Sequence, residues 1–191
     1  MDLFIIITIS YLLGSIPFGL ILTKLFLKKD IRDIGSGNIG ATNVMRSGNK
    51  LVGFLTLILD IFKAVLPVIY IKFNYPDLIY ICSLSVFLGH VFPIWLKFKG
   101  GKGVATYVGI LFSINIFFGI VFCICWLLIF FLSKYSSLSS LIASFSIPIY
   151  LFIINYEQLI FFVILFVLIF YTHRENIKRL KNKEESKSKI Y

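Results

Sequence analysis

Two short glycine-rich stretches hold most of the residues in this 191-residue chain that could do chemistry, and both have the makings of phosphate sites. In the first, DIGSGNIGATNVMRSG at 33–48, Gly35, Gly37 and Gly40 permit backbone conformations that residues with a Cβ avoid, so successive N–H groups can converge on an anion. Ser36, Asn38, Thr42 and Asn43 add neutral donors, and Arg46 adds a fixed charge whose forked geometry suits phosphate. In the second, KFKGGKGVAT at 97–106, Gly100, Gly101 and Gly103 surround Lys102. Backbone N–H groups and an ammonium could close on a phosphate there, and a helix beginning near Val104 would add its N-terminal dipole. Gly103 follows Lys102 where a Walker A motif needs Ser or Thr, which weighs against an ATPase. Taken alone, an ordinary basic loop beside a membrane explains this second stretch equally well.

Two further polar patches are weaker by themselves. Ser137 and Ser140 in KYSSLSSL are three apart and share a helix face, a pattern equally at home in helix packing. His173 and Asn176 have the same spacing and could offer an imidazole and an amide to one ligand, with Lys178 and Arg179 nearby. Asp60 and Lys63, at i and i+3 within an apolar segment, read as a mutually neutralising buried pair. His90, just before Pro93, reads as packing or as a hydrogen bond to the neighbouring loop. Cys82, Cys123 and Cys125 all lie in apolar runs, and two histidines with no acidic cluster leave no obvious metal site. No Gly-x-Ser-x-Gly elbow is present.

The elements that must position these groups are apolar helices. The chain is 59% hydrophobic with a mean hydropathy of +0.94, and Phe, Ile and Leu cover whole helical circumferences rather than one stripe. Candidate spans are 3–23, 51–71, 78–96, 103–132, 138–154 and 159–172. The uncharged run 103–132 would be about 45 Å long as one helix, well beyond a hydrocarbon core of about 30 Å. If it crosses twice, turning near Asn115 to Gly119, the chain has seven spans. All but Lys63 and Lys72 of the 19 lysines and arginines then share one face. Positive-inside bias favours that arrangement, with the N-terminus outside, the C-terminus cytoplasmic and the polar patches facing the cytoplasm. The net charge of +10 is read as topology and attraction to anionic lipid, not as nucleic-acid binding. The expected fold is therefore all-α and polytopic. Residues 1–174 form one membrane domain and 175–191 a basic cytoplasmic tail whose last dozen residues are expected to be flexible.

At this point the sequence resembles the bacterial PlsY-type acyl-phosphate:glycerol-3-phosphate acyltransferases. The resemblance rests on GSIPFG at 14–19, the DIRDIGSGNIGATNVMRSG loop, LDIFKA at 59–64, GHVFPIWLKFKGGKGVAT at 89–106, the SLSSL patch and HRENIKRL at 173–180. It implies a seven-span enzyme of the bacterial inner membrane with a cytoplasmic active site and no cofactor or obligate protein partner. It also implies transfer of a fatty acyl group from acyl-phosphate to the sn-1 hydroxyl of glycerol-3-phosphate, giving lysophosphatidate and inorganic phosphate in phospholipid synthesis. Ser36, Arg46, Lys102, His173 and Asn176 match catalytic positions of the family. Gly35, Gly37, Asn38, Thr42, Asn43, Gly100, Gly101, Gly103, Ser137 or Ser140, and Glu185 are expected to line the substrates.

The chain carries Ala64 and Lys183 where the family commonly has glycine. The first change is a packing matter, whereas the second can move the turn that presents Glu185. A transporter of phosphorylated metabolites would also select anions with basic loops, but transporters place substrate near the midplane. An acyl-CoA or acyl-carrier-protein donor is the other enzymatic alternative, although no donor-docking domain is evident.

Overall fold

The computed structural model of the chain describes residues 3–188, and among them every regular element is helical. The chain divides into two compact units, 1–114 and 115–191.

In the first unit, α1 (Leu3–Gly14) and α2 (Phe18–Leu22) are two pieces of the first apolar stretch. They part around Pro17, which has no N–H to donate to a continuous helix. The second piece runs on into a π-helical turn, Thr23–Leu27, that stops at left-handed Lys28. The short α3 (Ala41–Arg46) leads to α4 (Lys50–Asn74), whose first turn is capped by the Asn49 side chain accepting from the Val52 N–H at 3.0 Å. Two more helices follow, α5 (Ile79–Val91) and α6 (Val104–Ile114).

Small residues let these helices approach closely, as apolar helices must when lipid gives them no hydrophobic drive to associate. A Cβ on Gly14 would overlap the Val86 carbonyl of α5, and one on Gly89 would overlap the Tyr11 carbonyl of α1. The methyl of Ala64, fully buried on α4, lies over Gly109 of α6, so the change from glycine is absorbed as packing. Lys72 reaches past the end of α6 and donates to the Ser113 and Ile114 carbonyls at 2.8 and 3.0 Å, satisfying groups that a helix C-terminus leaves open. Gly89→Ala is expected to destabilise the protein by about 1–3 kcal/mol through overpacking of α1 against α5. A thermal unfolding midpoint in detergent equal to that of the parent protein would contradict this.

The second unit contains α7 (Ile116–Ser133), α8 (Ser136–Ile153), α9 (Leu159–Thr172) and α10 (Arg174–Lys181). The long uncharged run breaks at Asn115, whose side chain accepts from the Phe117 N–H at 2.9 Å and starts α7. Phe118 meets Tyr150, Tyr156 and Phe162 edge-on, with centroids 5.3 to 6.2 Å apart, and ties α7 to α8 and α9. A bend of 59° separates α9 from α10.

By length and composition five helical stretches among the described residues can each cross a membrane, and the bent pair of α9 and α10 makes a sixth candidate. The eleven residues of α6 rise about 16 Å. The tail beyond α10, expected to be flexible, makes defined contacts as far as Ser188, whose N–H donates to the Lys134 carbonyl at 2.9 Å. Residues 189–191 and the acidic Asp2 ahead of the first span lie outside the described residues.

Candidate active site

The loop at 33–48 is organised around Asn43 rather than around an empty cradle. Asn43 is buried, its Oδ1 accepts from the Ser36 N–H at 3.0 Å, and its Nδ2 donates to the carbonyls of Ile31, Ile34 and Asn38 at 3.2, 2.9 and 2.9 Å. Asn38 is occupied in the same way, with its Oδ1 accepting from the Gly40 N–H at 2.9 Å. Both residues, expected to meet substrate, hold the loop closed. The reason is physical: buried loop carbonyls need donors, and an amide supplies two at once.

Gly35 and Gly37 take the left-handed conformation expected of them, with φ of +59° and +69°, whereas Gly40 sits at −78° as the N-cap of α3. The Gly37 N–H also closes on the Ile34 carbonyl at 3.0 Å. With these N–H groups committed inside the turn, the groups presented outward are the side chains of Ser36, Thr42 and Arg46, all exposed. The loop's upstream end is pinned by Asp30, which accepts two bonds from the Arg32 guanidinium at 2.9 and 2.7 Å. That contact holds the Asp30 carboxyl well below the usual carboxylate range.

The second loop folds back on the end of α5. The Gly100 N–H donates to the Val91 carbonyl and the Gly101 N–H to the His90 carbonyl, both at 3.0 Å. The expectation that these two amides wrap a phosphate is therefore corrected. The last carbonyls of a helix lack partners within it, and this loop supplies them. Gly101 lies so close to the His90 imidazole that a Cβ would fall on the ring, and Gly103, at φ +86°, rests against the Phe87 ring in the same way. Lys102, half-buried, is thereby set at the start of α6, whose first-turn N–H groups and dipole favour an anion. His90 fulfils both halves of its sequence reading, packing under one loop residue and accepting from its backbone.

In the second unit the polar groups converge on Glu185. Its Oε1 accepts from Ser137 Oγ at 2.9 Å and from Asn176 Nδ2 at 2.7 Å, and its Oε2 accepts from Arg179 Nε at 2.7 Å. Burial alone would raise its pKa, but the hydrogen bonds from Arg179, Asn176 and Ser137 outweigh burial and hold the carboxyl below its ordinary value of 4.5. Lys183 does not displace the turn as feared. It takes the left-handed conformation itself, with φ +61°, and delivers Glu185 to its partners.

Because the folded pKa is depressed, the stabilisation is fully present above the ordinary carboxylate value and is lost only as pH falls through the lower folded value. Tail release followed by hydrogen exchange is accordingly expected to begin only below about pH 4.5. Release already under way at pH 6 would contradict it.

The two serines now separate. Ser140 donates to the Ser136 carbonyl at 2.9 Å and accepts from Trp126 Nε1 at 3.0 Å, joining α7 to α8, whereas Ser137 belongs to the Glu185 cluster. His173 is buried with Nδ1 2.8 Å from the Ile169 carbonyl, so that nitrogen carries a proton. Asn176 commits its Nδ2 to Glu185, and its buried Oδ1 has no hydrogen-bond partner among the described residues. That oxygen is an acceptor ready for a donor.

Known proteins of this construction share the pattern over nearly its whole length. A family described as glycerol-3-phosphate acyltransferase matches residues 4–183. A glycerol-3-phosphate acyltransferase of Pelagibacter ubique is 73% identical over all 191 residues of both chains. One from Bradyrhizobium diazoefficiens is 50% identical over 95% of this chain and 92% of its own. Among solved structures, PlsY, an integral membrane glycerol 3-phosphate acyltransferase in its glycerol 3-phosphate form, superposes with a TM-score of 0.91 at 37% identity. That superposition covers 96% of this chain and 94% of the other. The lysophosphatidic acid form of the same enzyme gives a TM-score of 0.87. The two glycine loops, the cation at the head of α6 and the His173–Asn176 pair thus stand in a chain that belongs to the glycerol-3-phosphate acyltransferase family.

Proposed function

We propose that the protein transfers a fatty acyl group from acyl-phosphate to the sn-1 hydroxyl of glycerol-3-phosphate, releasing lysophosphatidate and inorganic phosphate. The observation that carries this reading is the family match across residues 4–183. An acyl-phosphate is a mixed anhydride, already activated, so the protein has to position, neutralise and stabilise but has no carboxylate to activate. In the reaction the glycerol hydroxyl oxygen bonds to the acyl carbon while the bond from that carbon to the phosphate oxygen breaks. The hydroxyl proton passes to a substrate phosphate oxygen, which makes the mechanism substrate-assisted.

Lys102 and the first turn of α6 are assigned to the acyl-phosphate anion, where a fixed charge and aligned N–H groups stabilise the departing phosphate. Arg46 is assigned to glycerol-3-phosphate, with Ser36 orienting the hydroxyl or the developing oxyanion. His173 and Asn176 are assigned to glycerol-3-phosphate as well, the buried and unpartnered Asn176 Oδ1 taking a glycerol hydroxyl as its donor. Thr42 is kept as an outward donor on the first loop. Ser137, Ser140 and Glu185 act through the residues they hold.

Seven crossings are reached if α6 and the bent α9–α10 pair each cross once beside the five long stretches, with the N-terminus outside and the C-terminus cytoplasmic. The membrane is the bacterial inner membrane, with the polar loops on its cytoplasmic face. Purified protein given acyl-phosphate and glycerol-3-phosphate should form lysophosphatidate and phosphate in equal amounts. Robust glycerol-3-phosphate flux into proteoliposomes with no turnover would replace the enzyme reading with a transporter.

A further inference from the structure

Beneath the Lys102 loop lies a buried charged cluster that the proposed chemistry does not use. Lys63 and Asp60 form an ion pair of 2.7 Å on α4, with side chains only 3% and 4% exposed. The same ammonium donates to the Ile16 carbonyl at 2.8 Å, inside the break between α1 and α2. On the other side, Asp60 Oδ1 stands 3.8 Å from Nδ1 of buried His90. The far edge of that imidazole supports Gly101, and the His90 carbonyl takes the Gly101 N–H. Burying a pair of charges costs more than apolar packing of the same volume unless the geometry has another use.

We infer that Asp60, Lys63 and His90 form a brace that positions the Lys102 loop, with the Ile16 carbonyl as its anchor on the neighbouring helix break. The groups follow one another in one direction: Ile16 fixes the ammonium, the ammonium fixes the carboxylate, the carboxylate faces the imidazole across 3.8 Å, and the imidazole lies against Gly101. His90 Nδ1 has no hydrogen-bond partner among the described residues, and the carboxylate oxygen it faces, Asp60 Oδ1, is held by Lys63 alone. A shift of about 1 Å would close the 3.8 Å gap between them into a hydrogen bond. The brace therefore has room to tighten as the loop settles on its ligand. These three are positioning residues, and the inference rests on the assignment of Lys102 to the acyl-phosphate.

The test uses the full-length protein in detergent and measures steady-state constants for both substrates. The double variant Asp60→Asn/Lys63→Met removes both charges together and so leaves no uncompensated ion. It is expected to stay folded and to raise KM for acyl-phosphate about ten-fold, with the KM for glycerol-3-phosphate changed less than about two-fold. Unchanged constants in this variant, alongside loss of activity in Lys102→Ala, would overturn the brace and leave the role of Lys102 intact. A rise confined to the glycerol-3-phosphate KM would support the brace and overturn the assignment of Lys102 to the acyl donor. Full activity in Lys102→Ala would overturn that assignment and the brace with it.

Should the double variant not fold, the steric contact gives an independent measurement. Gly101→Ala is expected to lose activity about ten-fold or more, and Gly101→Ala/His90→Ala to recover part of it. A double variant no better than Gly101→Ala alone would sink the brace, since the imidazole would then not be what sets the height of Gly101.

Discussion

Replacing Lys102 with alanine should lower kcat/KM for acyl transfer by about 10²- to 10³-fold while leaving the protein folded, as expected for removal of one preorganised charge from a developing anion. The side chain is half-buried at the head of α6, and the loop that carries it is held by two backbone bonds to the end of α5. Neither bond involves the lysine side chain, so truncating it leaves the loop's own fastening intact. The measurement is a rate at subsaturating acyl-phosphate, with the elution profile and unfolding midpoint as folding controls. Activity within about three-fold of the parent would remove Lys102 from the chemistry.

Lys63→Ala should have the largest effect on stability, about 3–5 kcal/mol, because it leaves Asp60 as a buried uncompensated charge and takes a donor from the Ile16 carbonyl. Asp60→Asn/Lys63→Met should cost much less, because a neutral amide and a thioether of similar volume replace the pair. The informative quantity is the difference between the two unfolding midpoints. Equal midpoints would show that the pair contributes nothing as a pair.

How far the sequence could be read depended on what kind of physical fact each residue expressed. Apolar run length and charge parity located the helices and the break at Asn115, since an uncharged run cannot exceed the hydrocarbon thickness without interruption. The left-handed glycines at 35 and 37 were equally legible, because backbone sterics are local. The loop-holding role of Asn43 was not legible, because an amide that donates to substrate and one that donates to three loop carbonyls look alike in sequence. The difference is the return path of the chain, which brings residue 43 over residues 31 to 38. Gly101 was misread for a related reason. Its small size serves the His90 ring beneath it as much as any ligand above, and that neighbour is eleven residues away. Ser140 looked like a twin of Ser137, and only the Trp126 indole tells them apart.

Lys183 stops a helix in a place usually given to glycine. It takes the left-handed conformation just past α10, where its N–H closes on the Leu180 carbonyl at 3.2 Å and the next N–H, of Glu184, closes on the Arg179 carbonyl at 2.8 Å, a Schellman turn. A residue with a Cβ costs about 1–2 kcal/mol there relative to the right-handed form. The carboxylate two residues later is moored at three points on two helices, which offsets that cost. The helix end is the hinge and Glu185 the latch: the backbone turns the tail back, and the side chain shuts it against α8.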